Sequence, residues 1–212
     1  MRPLPEVSSF PGAKQGSGTP AQRFWIARLR LHIPGHGAED MDEVEIVNYD
    51  PRWPVLFDEE AERLRAVLDP SLIVGLEHFG STAVPGLSAK PIIDILIAVR
   101  SLADAQATFV EALRNLDYVY WADNPKKDRM FFVKGMPPFG SRRSHHVHVT
   151  EPQAEMWHRL AFRDYLRTHP EEARTYEQFK RRFAAEHRTD REAYTDAKSA
   201  YVESVMRKAI AC

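Results

Sequence analysis

An aspartate inside an apolar run is where chemistry enters this sequence. Residues 92–99, IIDILIAV, read as a strand from the interior of a sheet, and Asp94 interrupts it. Side chains alternate along a strand, so Asp94, Leu96 and Ala98 share one face while Ile93, Ile95 and Ile97 share the other. An unpaired carboxylate is costly to bury, so the Asp94 face is expected to be open or to line a cleft. Just upstream, GSTAVPG at 80–86 places Gly80 and Ser81 in a loop of small residues whose N–H groups can approach a phosphate. Lys90 supplies a cation for the same anion. A phosphate cradle, a lysine and an oxygen ligand for Mg²⁺ are what metal-assisted phosphoryl chemistry requires. Taken singly, the Gly-Ser pair also fits an ordinary turn, and the aspartate a solvated or salt-bridged residue.

A second cluster lies in SHHVHVTE, residues 144–151. His146, His148 and Thr150 fall on one face, and His145, Val147 and Val149 on the other. Two histidines at i and i+2 are separated by roughly 7 Å of strand rise, near enough for both imidazoles to reach one metal ion. The plain alternative is a histidine pair on a half-exposed strand. Lys126, Lys127, Arg129, Lys134, Arg142 and Arg143 make the preceding stretch basic. That stretch reads either as a solvated hairpin edge or as an electropositive wall for a polyphosphate.

The elements that must position these residues alternate. VEIVNY (44–49) reads as a short strand and WPVLFDEEAERLRAVL (53–68) as an amphipathic helix. LIVGLEHF (72–79) and the Asp94 run are strands. SLADAQATFVEALRNL is a helix with Ser101 as its N-cap. DYVYW, RMFFVKG and SHHVHVTE follow as strands, the last two antiparallel. From residue 153 the period becomes helical, with three helices over 153–168, 170–188 and 190–210, and Pro170 suits a first turn. The fold class is α/β (α+β): a mixed sheet over about 44–151 with flanking helices, and a helical C-terminal part over about 152–210.

With 212 residues, 43% hydrophobic and 28% charged, the chain has ordinary globular composition. Its formal net charge of −1 and lack of a nucleic-acid motif give no sign of a nucleic-acid partner. Its one cysteine, Cys212, excludes an intrachain disulfide and a cysteine-based zinc site. No apolar run approaches the roughly 20 residues of a membrane span, and a cytoplasmic location is expected. Residues 1–40 are rich in Pro, Gly and Ser without periodicity, and carry no secretory cleavage signal. They read as a disordered extension, or as a stretch upstream of a true start at Met41, with one domain over 41–212.

In their order, VEIVNYDPRWPVLFDEEAERL, HFGSTAVPGLSAKPIIDILIAV, RMFFVKG, HHVHV and FRDYLRTHPEEARTYEQFK resemble the GrpB family, over roughly residues 44–210. That family is placed in the nucleotidyltransferase superfamily, and some relatives are fused to dephospho-coenzyme A kinase. The resemblance implies a nucleotidyltransferase-like mixed sheet with a C-terminal helical part. The superfamily pattern runs from a hydrophobic residue, Gly and Gly/Ser through about a dozen residues to Asp-hydrophobic-Asp/Glu. Phe79, Gly80 and Ser81 fit its start and Asp94 its end, with twelve residues between Ser81 and Asp94. Leu96 stands where the second carboxylate belongs, so a pair of Mg²⁺ ions about 4 Å apart has no second bridging group.

By this resemblance Asp94 is the catalytic carboxylate and a ligand to a divalent metal, Mg or Mn. His146 and His148 stand near the place of the superfamily's third carboxylate. Such a mixed N/O set favours Mn²⁺, Fe²⁺ or Zn²⁺ over Mg²⁺. Gly80, Ser81, Lys90, Arg129 and Lys134 would hold a nucleoside triphosphate such as ATP. Lys180 and Lys198 join them as the cations of two Tyr-x₃-Lys pairs, with Tyr176 and Tyr194. The leading function is a metal-dependent nucleotidyltransferase-like protein, and the alternative is a non-catalytic nucleotide-binding or regulatory module. The histidines alone also suggest a metal-dependent hydrolase.

Overall fold

The computed structural model describes residues 43–211; the expectations for residues 1–40, for a start at Met41 and for Cys212 lie outside them. Helix α1, Trp53–Val67, starts with Pro54 in its first turn and buries Trp53, Glu60, Ala61 and Leu64 on one side. Strand β1, Ile73–Phe79, leads through a 3-10 turn at Ser81–Ala83 to β2, Ile93–Val99. Helix α2, Leu102–Arg114, is capped by Ser101, whose hydroxyl accepts from the Asp104 N–H at 3.2 Å. Strands β3 (Tyr118–Tyr120), β4 (Arg129–Lys134) and β5 (His145–Thr150) complete the sheet. Helices α3 (Glu155–His158), α4 (Leu160–Thr168), α5 (Pro170–Glu186) and α6 (Arg191–Ala211) follow.

The five strands lie in the order β1-β2-β5-β4-β3. Only β2 and β5 pair in parallel; the other pairs are antiparallel, as expected for β4 and β5. A parallel pair needs a crossover, here the α2-β3-β4 segment. One sheet face carries Ile93, Ile95, Ile97, Phe132, Val147 and Val149 into a core with Trp53 and Leu64 of α1 and Phe109 and Leu113 of α2. The other face meets the C-terminal helices. There Trp157 lies so close to β1 that a Cβ on Gly75 would stand 2.9 Å from its ring. Val84, Leu87, Leu166, Tyr176 and Val205 form a second core between the loop after β1 and the helices.

Three expectations change. Residues 44–49 form no sheet strand but a single bridge, Val47 to Ala89, because Pro91 soon follows and has no N–H to extend a ladder. The expected helix over 153–168 is two helices, broken at Arg159 (ψ −8°). The Asp94 face is not open along its length: Leu96, Ala98 and Thr150 are fully buried, and Asp94 keeps only part of its side chain exposed. Among the described residues, no helix is long and apolar enough to cross a membrane.

Candidate functional site

Parallel pairing sets Asp94 directly beside His146, and Leu96 beside His148. Asp94 Oδ1 lies 3.0 Å from His146 Nδ1. Burial works to raise the Asp94 carboxyl, but the His146 hydrogen bond and the positive charge nearby hold it below its ordinary value. Burial works to lower His146 and the Asp94 hydrogen bond works against it; facing a carboxylate acceptor, the ring turns its Nδ1–H toward Asp94 and its Nε2 to the far side. The His148 ring stacks on Phe131 with centroids 4.7 Å apart and meets Phe79 edge-on at 6.1 Å. Burial in this setting pushes His148 down to about 3. Donor atoms of Asp94, His146 and His148 all lie within 4.8 Å of one another. His146 Nε2 and His148 Nδ1 are both buried without a hydrogen-bond partner.

The Gly80 backbone has φ +72°, and a Cβ there would sit 2.5 Å from Asp94 Oδ2. Glycine is thus required twice, by the backbone and by the carboxylate packed against it. Burial pushes the Tyr176 phenol of α5 up to about 12, and the nearby Ser81 side chain works against that shift. That helix and α4 pin the rest of the loop. Arg167 Nε donates to Ala83 O at 3.0 Å. Arg181 donates to Ser88 Oγ at 2.8 Å, and that hydroxyl donates to Glu177 at 2.7 Å.

The lysines divide into three kinds. Lys90 and Lys198 share one aromatic ring, their ammonium groups 5.3 Å and 4.2 Å from the Tyr194 centroid. Neither forms an ion pair with any described residue. Burial pushes Lys198 down to about 8, against the pull of Asp94. Burial, with the charges of Arg191 and Lys198 adding to it, holds Lys90 well below the usual lysine value. Lys180, 1% exposed, is committed elsewhere: it donates to the Ser88 carbonyl and lies 4.8 Å from the Tyr176 centroid.

Lys134 is a third case, since it faces away from the site. It pairs in register with His145, on the core side, and its ammonium lies 2.7 Å from Glu60 Oε1. An odd separation of five residues on one strand sends Arg129 and Lys134 to opposite faces. Arg129 is on the Asp94 face but further along it, opposite Thr150 and 3.4 Å from Asp128.

The fold thus brings together Asp94, His146, His148, Gly80, Ser81, Lys90 and Lys198. It leaves Arg129 at the margin, uses Lys180 to hold the loop and excludes Lys134. The parts that Phe79, Phe131 and Tyr194 take in walling the site go beyond the sequence expectations; strand parity with Asp94 and His148 is the available signal for the two phenylalanines. Chemically, the arrangement offers an imidazole oriented by a carboxylate, a second imidazole beside it, and two unpaired ammonium groups for an anion.

Residues 43–208 match the family described as GrpB protein. A UPF0157 protein of Pseudomonas aeruginosa is 50% identical over 81% of this chain and 70% of its own length. The glutamate-rich protein GrpB of Alkalihalophilus pseudofirmus is 32% identical over 78% of this chain and 95% of its own. A dephospho-CoA kinase of Mycolicibacterium paratuberculosis is 31% identical over 91% of this chain and 54% of its own, so this chain spans about half of it. The crystal structure of conserved protein GrpB from Enterococcus faecalis matches with a TM-score of 0.69 and 33% identity, covering 78% of this chain and 96% of that one. Sequence and architecture agree, and are consistent with the nucleotidyltransferase superfamily: the chain belongs to the GrpB family.

Proposed function

We propose that the cleft between the Asp94 end of the sheet and the C-terminal helices binds a nucleoside triphosphate together with a divalent metal ion. The observation that carries this reading is the pair of ammonium groups, Lys90 and Lys198, held on Tyr194 beside the Asp94–His146 pair without a carboxylate of their own. Two half-buried cations that repel one another are a standing cost, and a polyphosphate offsets it. Lys90 and Lys198 take the phosphate charge, and the Gly80–Ala83 turn, pinned by α4 and α5, sets the wall beside it.

The two-ion magnesium arrangement of the superfamily pattern does not fit these residues. Leu96 is fully buried where the second carboxylate would stand, and no other acidic residue joins Asp94 in its cluster among the described residues. A single ion does fit, because one donor atom from each of Asp94, His146 and His148 lies within 4.8 Å of the others. If chemistry follows binding, an acceptor hydroxyl gives up its proton and its oxygen bonds to the α-phosphorus, while the bond from that phosphorus to the bridging oxygen breaks and pyrophosphate leaves. The same leucine favours a second reading, a nucleotide-binding regulatory module without turnover.

Thermal unfolding of the full chain with ATP, CTP, GTP or UTP, each with Mg²⁺ or Mn²⁺, tests the binding. A ligand at about 100 times its Kd adds about 2.7 kcal/mol to stability. The expected result is a metal-dependent rise in Tm that Asp94→Ala abolishes while remaining folded. No rise at millimolar nucleotide would overturn the reading. Pyrophosphate release in an acceptor screen then separates the transferase from the silent module.

A further inference from the structure

Of the three histidines of β5, His146 alone has a carboxylate on a ring nitrogen among the described residues. His145 Nδ1 meets the Ser144 hydroxyl at 3.0 Å, and the His148 ring is held by its contacts with Phe131 and Phe79. At His146 the distance from Nδ1 to Asp94 Oδ1 is 3.0 Å. A carboxylate only accepts, so the hydrogen of that contact is on Nδ1, and in the neutral ring Nε2 carries the free lone pair. That nitrogen is buried and has no hydrogen-bond partner. An imidazole oriented through one nitrogen by a carboxylate, with its other nitrogen bare on the far side, is equipped to act as a nucleophile.

From this we infer that His146 attacks the triphosphate itself, its Nε2 holding the nucleotidyl group until an acceptor takes it. The inference rests on the nucleotide binding proposed above, and it replaces the single displacement at phosphorus by two. In the first, the Nε2 lone pair bonds to the α-phosphorus, the bond from that phosphorus to the bridging oxygen breaks, and pyrophosphate leaves with the electron pair. The ring keeps its Nδ1–H and becomes a cation whose charge faces the Asp94 carboxylate. In the second, an acceptor hydroxyl gives its proton to solvent, its oxygen bonds to phosphorus, and the phosphorus–nitrogen pair returns to Nε2. His146 serves phosphorus in these steps and not the metal ion.

Three features of the site support a covalent route. Leu96, fully buried at the place of a second carboxylate, denies a direct displacement its second bridging ion. Dividing the reaction into two easier steps does not call for that group. The nucleophile is also held in direction: the Phe131 ring meets His146 edge-on at 5.2 Å, and Asp94 is packed against Gly80, where a Cβ would stand 2.5 Å from Oδ2. Finally, the pair lies at the edge of the buried part of its face. The His146 side chain keeps 11% of its surface exposed and that of Asp94 28%, whereas Leu96, Ala98 and Thr150 further along have none. A ligand approaches from that edge, where the charge of Lys90 acts on both Asp94 and His146.

The test takes the full chain with ATP, CTP, GTP or UTP labelled at the α-phosphorus, with Mn²⁺ and without an acceptor. Denatured protein is expected to retain the label in alkali and lose it in acid, as a phosphorus–nitrogen bond does, and peptide mass spectrometry should place the nucleotidyl group on His146. Labelled pyrophosphate should exchange into the same nucleotide without an acceptor. His146→Gln should lower labelling and exchange by at least about a thousandfold, and Asp94→Asn should slow exchange by at least about a hundredfold. His145→Gln, on the opposite sheet face, should change neither. A nucleotide-dependent rise in Tm with no label and no exchange would overturn the inference and spare the proposed binding. No rise with any nucleotide would overturn both. Label mapped to another residue would also overturn the inference, and that mapping is made on the unaltered chain, so it decides the matter even if His146→Gln folds poorly.

Discussion

Each face of the sheet meets one acidic residue withdrawn from solvent, Glu60 of α1 on one side and Asp94 of β2 on the other, and the two are treated differently. On the α1/α2 side, Glu60 is 1% exposed and accepts from Lys134 at 2.7 Å, from the Tyr118 hydroxyl at 3.0 Å and from Arg63 at 3.0 Å. On the other side, Asp94 keeps 28% of its side chain exposed and, among the described residues, accepts from His146 alone. Lys90 and Lys198, on which its charge acts, sit on an aromatic ring instead of closing ion pairs. Glu60 has a closed network, which holds an element in place; Asp94 has an open one, which has charge and lone pairs to give to something else. Burial of a charged residue therefore says little until its partners are counted.

That contrast can be broken by experiment. The largest effect is expected for Glu60→Ala, which leaves Lys134 without its partner and should cost about 3–5 kcal/mol of stability. Chemical denaturation measures it, and a loss below about 1 kcal/mol would mean that the closed network does not hold α1 to the sheet. Metal affinity of the folded protein should not change.

The next concerns Lys180, a buried lysine on the site side held by a carbonyl instead of a carboxylate. Burial pushes it from 10.5 down to about 7, with the nearby charge of Lys198 adding to the shift. Between those two values the unfolded chain binds more protons than the fold, so stability rises with pH. Its contribution is complete above the unfolded value and is lost as the pH falls through about 7. Denaturation at about pH 7 and pH 10 should differ by roughly 1–3 kcal/mol from this residue. The slope should diminish in Lys180→Met; an unchanged slope would remove Lys180 as its source.

The smallest effect has the opposite sign. Lys90→Met or Lys198→Met removes one of two repelling cations and should stabilise the fold by about 0.5–1 kcal/mol, while weakening nucleotide binding. A variant that loses stability while binding nucleotide as before would show that these lysines are structural, like Lys134.

Much of the site is legible in the sequence, because period-two alternation is a strong constraint. It sets Asp94, His146 and His148 on one kind of face, and the small-residue loop marks the place where a chain element meets them. The same rule applied to RMFFVK separates Arg129 from Lys134, so that stretch cannot be one basic wall. Glu60 is illegible for a different reason. A glutamate on an amphipathic helix reads as solvent-facing, and only the arrival of Lys134 and Tyr118 from distant strands makes its burial tolerable. The Tyr-x₃-Lys spacing predicts that each ammonium meets its tyrosine ring, but not that Lys180 turns to the Ser88 carbonyl while Lys198 stays unpaired. That choice depends on where α5 and α6 pack.

The parallel β2–β5 ladder has a consequence for how such a site tolerates change over time. Asp94 and His146 are 52 residues apart in the chain, yet their spacing is set by two neighbouring strands at about 4.8 Å and not by the segment that joins them. Insertions and deletions in the connections around β3 can therefore accumulate without moving the pair. A slip of a single residue in the ladder, by contrast, replaces His146 with His145 or Val147 and turns His148 away. A change of length in those connections is expected to leave the pair in place, whereas a change of register takes it apart.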